Sequence, residues 1–338
     1  MSFLQLFRPS DLKDILDTRP GETRLGETIE LPGEGALKVV LQQSDARFVI
    51  LGLPEDIGVR ANGGIGGTQT AWPKFLKSFL NIQETEFLSG RAFLLLGAMD
   101  FTSRMHASVT ADVAGLRELT AQIDESVFPV IQAIVASGKI PVVIGGGHNN
   151  AFPVLKGASI ALGQKVHAVN LDAHSDFRIM EGRHSGNGFR YAYHEKYLGR
   201  YAMLGLHEAY NSAAVIKDLL SNPDLLPLFW DDIFVRERMN WSDALQQALH
   251  FVSGAPFGVE LDLDALENVL SSAATPVGLH THHALQYLYR CGVSGNAAYF
   301  HLPEGVVLRS DGQENIWTGK LLSYLVQAFA KGILASRA

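Results

Sequence analysis

Eight short apolar runs are the feature of this chain that most restricts its fold. They read "RFVILGL" (47–53), "AFLLLGA" (92–98), "IPVVIGG" (140–146), "VHAVNLD" (166–172), "YAMLGL" (201–206), "PLFWDD" (227–232), "FGVELDLD" (257–264) and "AAYFHL" (297–302). Most are apolar throughout rather than alternating, which marks strands covered on both faces and hence a parallel sheet. Helical patterns lie between them. One runs from Ser108 to Gly138 and another from Trp241 to Gly254, each closed by a glycine suited to a helix C-terminus. The last pattern, "TGKLLSYLVQAFAKGIL" (318–334), is amphipathic and is expected to cover an outer face. Strands alternating with helices predict a three-layer α/β/α fold around a parallel sheet of about eight strands. No linker-like tract, low-complexity segment or repeat interrupts the pattern. Residues 36–338 are therefore read as one domain, preceded by a more polar arm over residues 1–35.

Charge and cysteine content narrow the class of partner. The net charge is −7 and no run of basic residues exceeds two, which argues against nucleic acid or an anionic membrane as the partner. The single cysteine, Cys291, excludes an internal disulfide framework and suits a reducing compartment. The N-terminal stretch "MSFLQLFRPSDLKDILD" lacks the features of a signal peptide, and no apolar stretch approaches the ~20 residues that span a bilayer. The expectation is a soluble cytoplasmic protein.

Three of the runs end in residues that a buried strand has little use for. "VVIGGGHNN" ends in His148, "AVNLDAHSD" in Asp172, His174 and Asp176, and "GVELDLDAL" in Asp262 and Asp264. Ligands of open α/β sheets bind beyond the carboxyl ends of the strands, so these six side chains are expected at one edge. Asp172, His174 and Asp176 alternate, which places them on one face of an extended chain. Four carboxylates so close would repel until most took up protons. Two divalent cations offset that charge and leave room for a bridging hydroxide, and carboxylates with some imidazole favour Mn2+, with Fe2+, Ni2+, Co2+ or Zn2+ as alternatives. Taken singly, His148 could be a core histidine, and Asp176 and Asp264 could cap helices. Taken together, the six are better explained by a metal pair. "GGG" (145–147) lacks the glycine at position 150 that a dinucleotide-binding turn would need. "HTHH" (280–283) reads as surface or interface, and Cys291 as an inert thiol.

The blocks "GGGH", "DAHSD" and "DLD" resemble the GGxH, DAHxD and DxD signatures of the ureohydrolases, the family of arginases, agmatinases and formimidoylglutamases. The resemblance extends to "PEDIGVRANGGIGGTQTAWPKFLKSFL" (54–80), "SSAATPVGL" (271–279) and "HLPEGV" (301–306), in the family's order. It implies an arginase-like catalytic domain, a homo-oligomer and two divalent ions. His148, Asp172, Asp176 and Asp262 would hold one ion, and Asp172, His174, Asp262 and Asp264 the other. The resemblance further implies that Asp176 accepts a hydrogen bond from the nucleophile and that Glu304 holds the cationic nitrogens of the substrate. The stretch "GRHSGNGFRYA" (182–192) resembles the family's specificity loop. Ser185 and Asn187 would be donors there for a substrate carboxylate, with Arg178, Arg183 and Arg190 as fork-shaped partners. Phe189 stands where arginases carry a proton-transferring histidine, and Gly147 is closer to formimidoylglutamases. Asn149, Glu267 and Asn268 depart from the family's pattern. The expected reaction is hydrolysis of N-formimidoyl-L-glutamate to glutamate and formamide. The alternatives are another guanidino substrate (agmatine or a guanidino acid), a mononuclear deacetylase-like hydrolase, or a non-catalytic regulatory relative.

Overall fold

All eight apolar runs become strands of a single sheet in the computed structural model, which describes residues 3–336. The strands are β1 (Leu4–Leu6), β2 (Phe48–Gly52), β3 (Phe93–Met99), β4 (Ile140–Ile144), β5 (Val166–Leu171), β6 (Leu198–Leu206), β7 (Leu225–Phe229), β8 (Phe257–Leu261) and β9 (Ala297–Leu302). Their order is β1-β3-β2-β4-β9-β8-β5-β6-β7. Every pairing is parallel except that of β1, which runs antiparallel to β3 at one edge. β1 was not expected: three residues with one exposed side chain carry too little periodicity to read. It ties the N-terminal segment to the sheet.

Alternation along β2 shows why its run is apolar throughout. Phe48 and Ile50 enter one core and Val49 and Leu51 the other, and all four are fully buried. The first core is roofed by helices Ala71–Leu80, Trp241–Val252, Thr281–Val293 and Thr318–Ala335, the second by Val113–Ala136 and Ala151–Leu162. The C-terminal helix buries Leu322, Leu325, Val326, Phe329 and Ile333 and leaves Tyr324 exposed, as its amphipathic pattern requires. Among the described residues, no helix is long and apolar enough to cross a membrane.

Four adjacent central strands, β4, β9, β8 and β5, position the site. Their carboxyl ends lead respectively into His148, Glu304, Asp262 and Asp172. The strands stop sooner than the sequence suggested. β5 ends at Leu171 and β8 at Leu261, so the acidic blocks lie on the loops beyond, and β7 yields to a helical turn at Trp230–Phe234. Extended-chain alternation is therefore not what gathers Asp172, His174 and Asp176. Asp176 takes a left-handed backbone (φ 43°) that turns its carboxylate back toward His148.

Gly258 on β8 lets the Tyr299 ring of β9 lie across the strand, because a Cβ at position 258 would overlap that ring. Gly258→Ala is expected to destabilise the fold by about 1–3 kcal/mol through overpacking, read as a shift in the denaturation midpoint.

Candidate metal centre

His148 sits fully buried just past β4, with its Nδ1 aimed at three carboxylates. Asp176 Oδ2 lies 2.9 Å away, Asp262 Oδ2 3.0 Å and Asp172 Oδ2 3.3 Å, yet Nδ1 makes a proper hydrogen bond to none of them. A ring nitrogen on which three carboxylate oxygens converge has the arrangement of a ligand shell. A second group adjoins the first: His174 Nδ1 is 3.0 Å from Asp264 Oδ2 and 3.6 Å from Asp172 Oδ1. Each group could hold a metal ion, and Asp172 turns one oxygen to each. Asp262 belongs to the first group, while its other oxygen accepts the Asp264 amide at 2.8 Å. The structure thus brings together all six residues singled out from the sequence.

The electrostatics of the cluster call for added positive charge. Burial, with repulsion from Asp264 and Asp172, pushes the Asp262 carboxyl well above the usual carboxylate range. Burial raises Asp264 to about 7 and lifts Asp176, with Asp172 adding to both. Burial likewise raises Glu304 to about 8, reinforced by Asp262 and Asp176. Such carboxylates hold protons unless cations take the protons' place.

A cavity of 340 Å³ opens over the cluster, with Asp176, His174, Asp262, Asp264 and Glu304 on its wall. Arg178, Ser185, Tyr210, Ser272 and the loop Asn62–Gly64 are also part of the lining. Arg178 is half exposed and donates from Nη1 to Asn62 Oδ1 at 2.7 Å, and Asn62 in turn donates to the Ser185 hydroxyl at 3.2 Å. Glu304 is left-handed (φ 63°); its Oε1 accepts the His148 amide at 2.9 Å while its Oε2 is buried without a partner.

Three residues expected at the substrate are placed elsewhere. Arg183 is buried, donating to Asp124 from Nε at 2.8 Å, to Asn187 Oδ1 and to the Asn149 carbonyl. Asn187 spends its amide on the carbonyls of Ile179 and Gly182. Arg190 donates to the Phe177 carbonyl and to Asp218, outside the cavity. These side chains hold the 182–192 segment together: Asn187 bonds within it and to Ile179, while Arg183 and Arg190 tie it to Asp124 and Asp218.

The family model of the arginase family matches residues 46–304, most of the chain. The chain belongs to the arginase family. Among curated relatives, the formimidoylglutamase of Geobacillus thermodenitrificans is 31% identical over 198 residues, covering 58% of this chain and 56% of that protein. The formimidoylglutamase of Rhodococcus opacus is 26% identical over 259 residues, covering 74% and 69%. The matched stretch thus spans little more than half of the first relative. In fold, the chain is similar to Bacillus subtilis formimidoylglutamase (TM-score 0.76, 17% identity, 96% of each chain covered). It is also similar to a Trypanosoma cruzi formiminoglutamase solved with Mn2+ (TM-score 0.68, 22% identity, 89% of this chain and 99% of that one).

The departures from the arginase-family pattern lie behind the cavity or at the surface. Asn149 is buried, donating to Glu55, and Gly58 leaves the space that its side chain fills. Phe189 stands edge-on to His148 (centroids 5.1 Å apart, 85°) and stacks on Tyr201 at 4.3 Å, so it braces the His148 ring. Glu267 pairs with His280 at 2.6 Å, near the surface. The sequence reading missed Glu55, whose carboxylate accepts the amides of Ile57, Gly58 and Gly147 and the amide group of Asn150. It also missed a column of rings, His174–Tyr210–His207–Trp230, each pair 5.1–5.2 Å apart. A further buried group joins His148 to Glu260 and His301, and these two escaped notice because they look like ordinary strand residues. Only the unusual glutamate in "VELDLD" offered a signal.

Arg183→Ala leaves Asp124, whose carboxyl burial raises to about 6, without its partner. The expected cost is about 3–5 kcal/mol by chemical denaturation. Arg178→Ala, at the half-exposed mouth, is expected to stay within about 0.5 kcal/mol of the parent.

Proposed function

We propose that this chain is a binuclear metal hydrolase that cleaves the linear C–N bond of N-formimidoyl-L-glutamate, releasing formamide and glutamate. The observation that carries the reading is the pair of carboxylate–imidazole groups sharing Asp172, with His148 Nδ1 left without a hydrogen bond among three carboxylates. The formimidoylglutamase relatives support the substrate. The Mn2+ of the Trypanosoma cruzi protein supports the ion, as does the carboxylate-rich donor set. The single buried Cys291, its thiol raised by burial, suits a reducing cytoplasmic setting, and a homo-oligomer of one-domain subunits completes the reading.

His148, Asp172, Asp176 and Asp262 would hold one ion, and Asp172, His174, Asp264 and the shared Asp262 the other. When bound, the ion pair supplies Lewis acidity that lowers the pKa of water toward neutrality. Asp176, on the cavity wall, accepts a hydrogen bond from the attacking water and relays its proton to the departing amine. Glu304 turns its unpartnered Oε2 to the cationic formimino nitrogens, whose charge favours its ionised form. Water adds across the C=N bond, and the bond between that carbon and the glutamate nitrogen breaks. At the mouth, Arg178 and Ser185 reach the substrate's carboxylates; Asn62 holds both in place.

The test pairs metal content after Mn2+ loading and desalting with a panel of formimidoylglutamate, arginine, agmatine and guanidino acids. Two ions per chain and turnover of formimidoylglutamate are expected, both lost in Asp262→Ala. A ratio near one would favour a mononuclear hydrolase and a ratio near zero a non-catalytic relative. Turnover of arginine or agmatine instead would overturn the substrate. Arg178→Ala removes a charge-assisted hydrogen bond to substrate of about 1.5–3 kcal/mol, so KM is expected to rise about 10–100-fold with kcat little changed.

A further inference from the structure

Beneath the cavity floor, on the far side of the His148 ring, lies a fully buried carboxylate that the mechanism above does not use. Glu260 stands on β8 two residues before Asp262, its side chain 0% exposed. Its Oε1 accepts the Tyr299 hydroxyl at 2.7 Å and its Oε2 accepts His301 Nδ1–H at 2.7 Å. The same Oε2 lies 3.5 Å from His148 Nε2, the nitrogen pointing away from the metal groups; that is too long for a formed hydrogen bond, and Nε2 has no other partner. Both donors come from β9, where His301 is the registered neighbour of Glu260. Burying an anion this deep is costly, and three polar groups converging on it need a reason.

The logic of the histidine ring supplies one. To ligate through Nδ1, His148 must keep that lone pair free, so its proton must sit on Nε2. An acceptor facing Nε2 favours this, and Glu260 Oε2 is the carboxylate oxygen the fold puts there, close enough for a small shift to complete the hydrogen bond. We propose that Glu260 is a positioning residue that fixes His148 in its Nε2–H tautomer for metal binding, with Tyr299 and His301 holding the carboxylate in place. The proposal rests on the metal-hydrolase reading. It differs from a third ion held by His148, Glu260 and His301, a group whose ligand atoms are also close together. Here His301 Nδ1 and Glu260 Oε2 are hydrogen-bonded to each other at 2.7 Å, whereas His148 Nδ1 is bonded to none of the carboxylates around it, which favours a supporting role for this group.

Glu260→Gln exchanges part of the acceptor for an N–H donor, opposing a proton on Nε2 and favouring one on the metal side. Retention of Mn2+ is measured against a competing chelator, with the unfolding of the metal-free protein followed in parallel. Glu260→Gln is expected to weaken retention about 10–100-fold. Tyr299→Phe, which removes one of the two hydrogen bonds holding the carboxylate but leaves Oε2 in place, is expected to weaken retention clearly less than Glu260→Gln. A variant-independent readout is the 15N spectrum of the Zn2+-loaded parent, in which the His148 signals, assigned through His148→Ala, are expected to show a protonated Nε2. Parental retention in Glu260→Gln, equal loss in both variants, a proton on Nδ1, or three ions per chain would each overturn the proposal. Failure of the parent to bind metal at all would instead remove the reading on which it rests.

Discussion

The convergence of four carboxylates on two imidazoles at the carboxyl edge of a parallel sheet is the constraint around which this structure is arranged. Burial and mutual repulsion together disfavour the charged cluster, as the raised carboxyls of Asp176, Asp262 and Asp264 show, and a rigid frame holds it together. The frame is the run of four central strands, cored on both faces, that delivers each acidic loop to the same place. Smaller devices finish the work. Glu55 gathers five donors and locks the glycine turn before His148 to the loop after β2. Arg183 and Asp124 join the 182–192 segment to a long helix, and Phe189 packs edge-on against the His148 ring.

Much of this was legible in the sequence, for identifiable reasons. A strand covered on both faces must be apolar at every position, so the sheet could be read from eight runs. A strand that ends in Asp or His is conspicuous against that background, which exposed His148, Asp172, His174, Asp176, Asp262 and Asp264 together. What local pattern could not convey was where a long side chain finds its partner. Arg178, Arg183 and Arg190 look equivalent in "FRIMEGRHSGNGFRYA", yet only Arg178 faces the cavity. Asp124 and Asp218, tens of residues away, take the other two. Glu260 and His301 were missed for the converse reason, since each lies inside a run that reads as plain strand.

The same contrast explains why the departures from the family's motifs are compatible with an assembled site. Asn149 and Phe189 belong to the frame and Glu267 to the periphery. None lines the cavity, so each bears on how the carboxylate–imidazole cluster is supported rather than on the groups at the cavity wall. The aromatic column acts in the same way on the other ion group: it seats the His174 ring against Tyr210, whose hydroxyl is within 3.0 Å of that of Thr275.

Two wall residues, Asp176 and Glu304, sit in the left-handed region that suits glycine. Each such backbone costs on the order of 1–3 kcal/mol, and each also confines a carboxylate that would prefer water. Glycine at either position would relax the chain and remove a buried charge in one step, so thermodynamic stability and the proposed chemistry pull in opposite directions there. A lineage released from selection for catalysis would have an easy downhill path at these two positions. An acid at either position thus carries a stability cost that glycine would not, and the proposed chemistry is what would offset it.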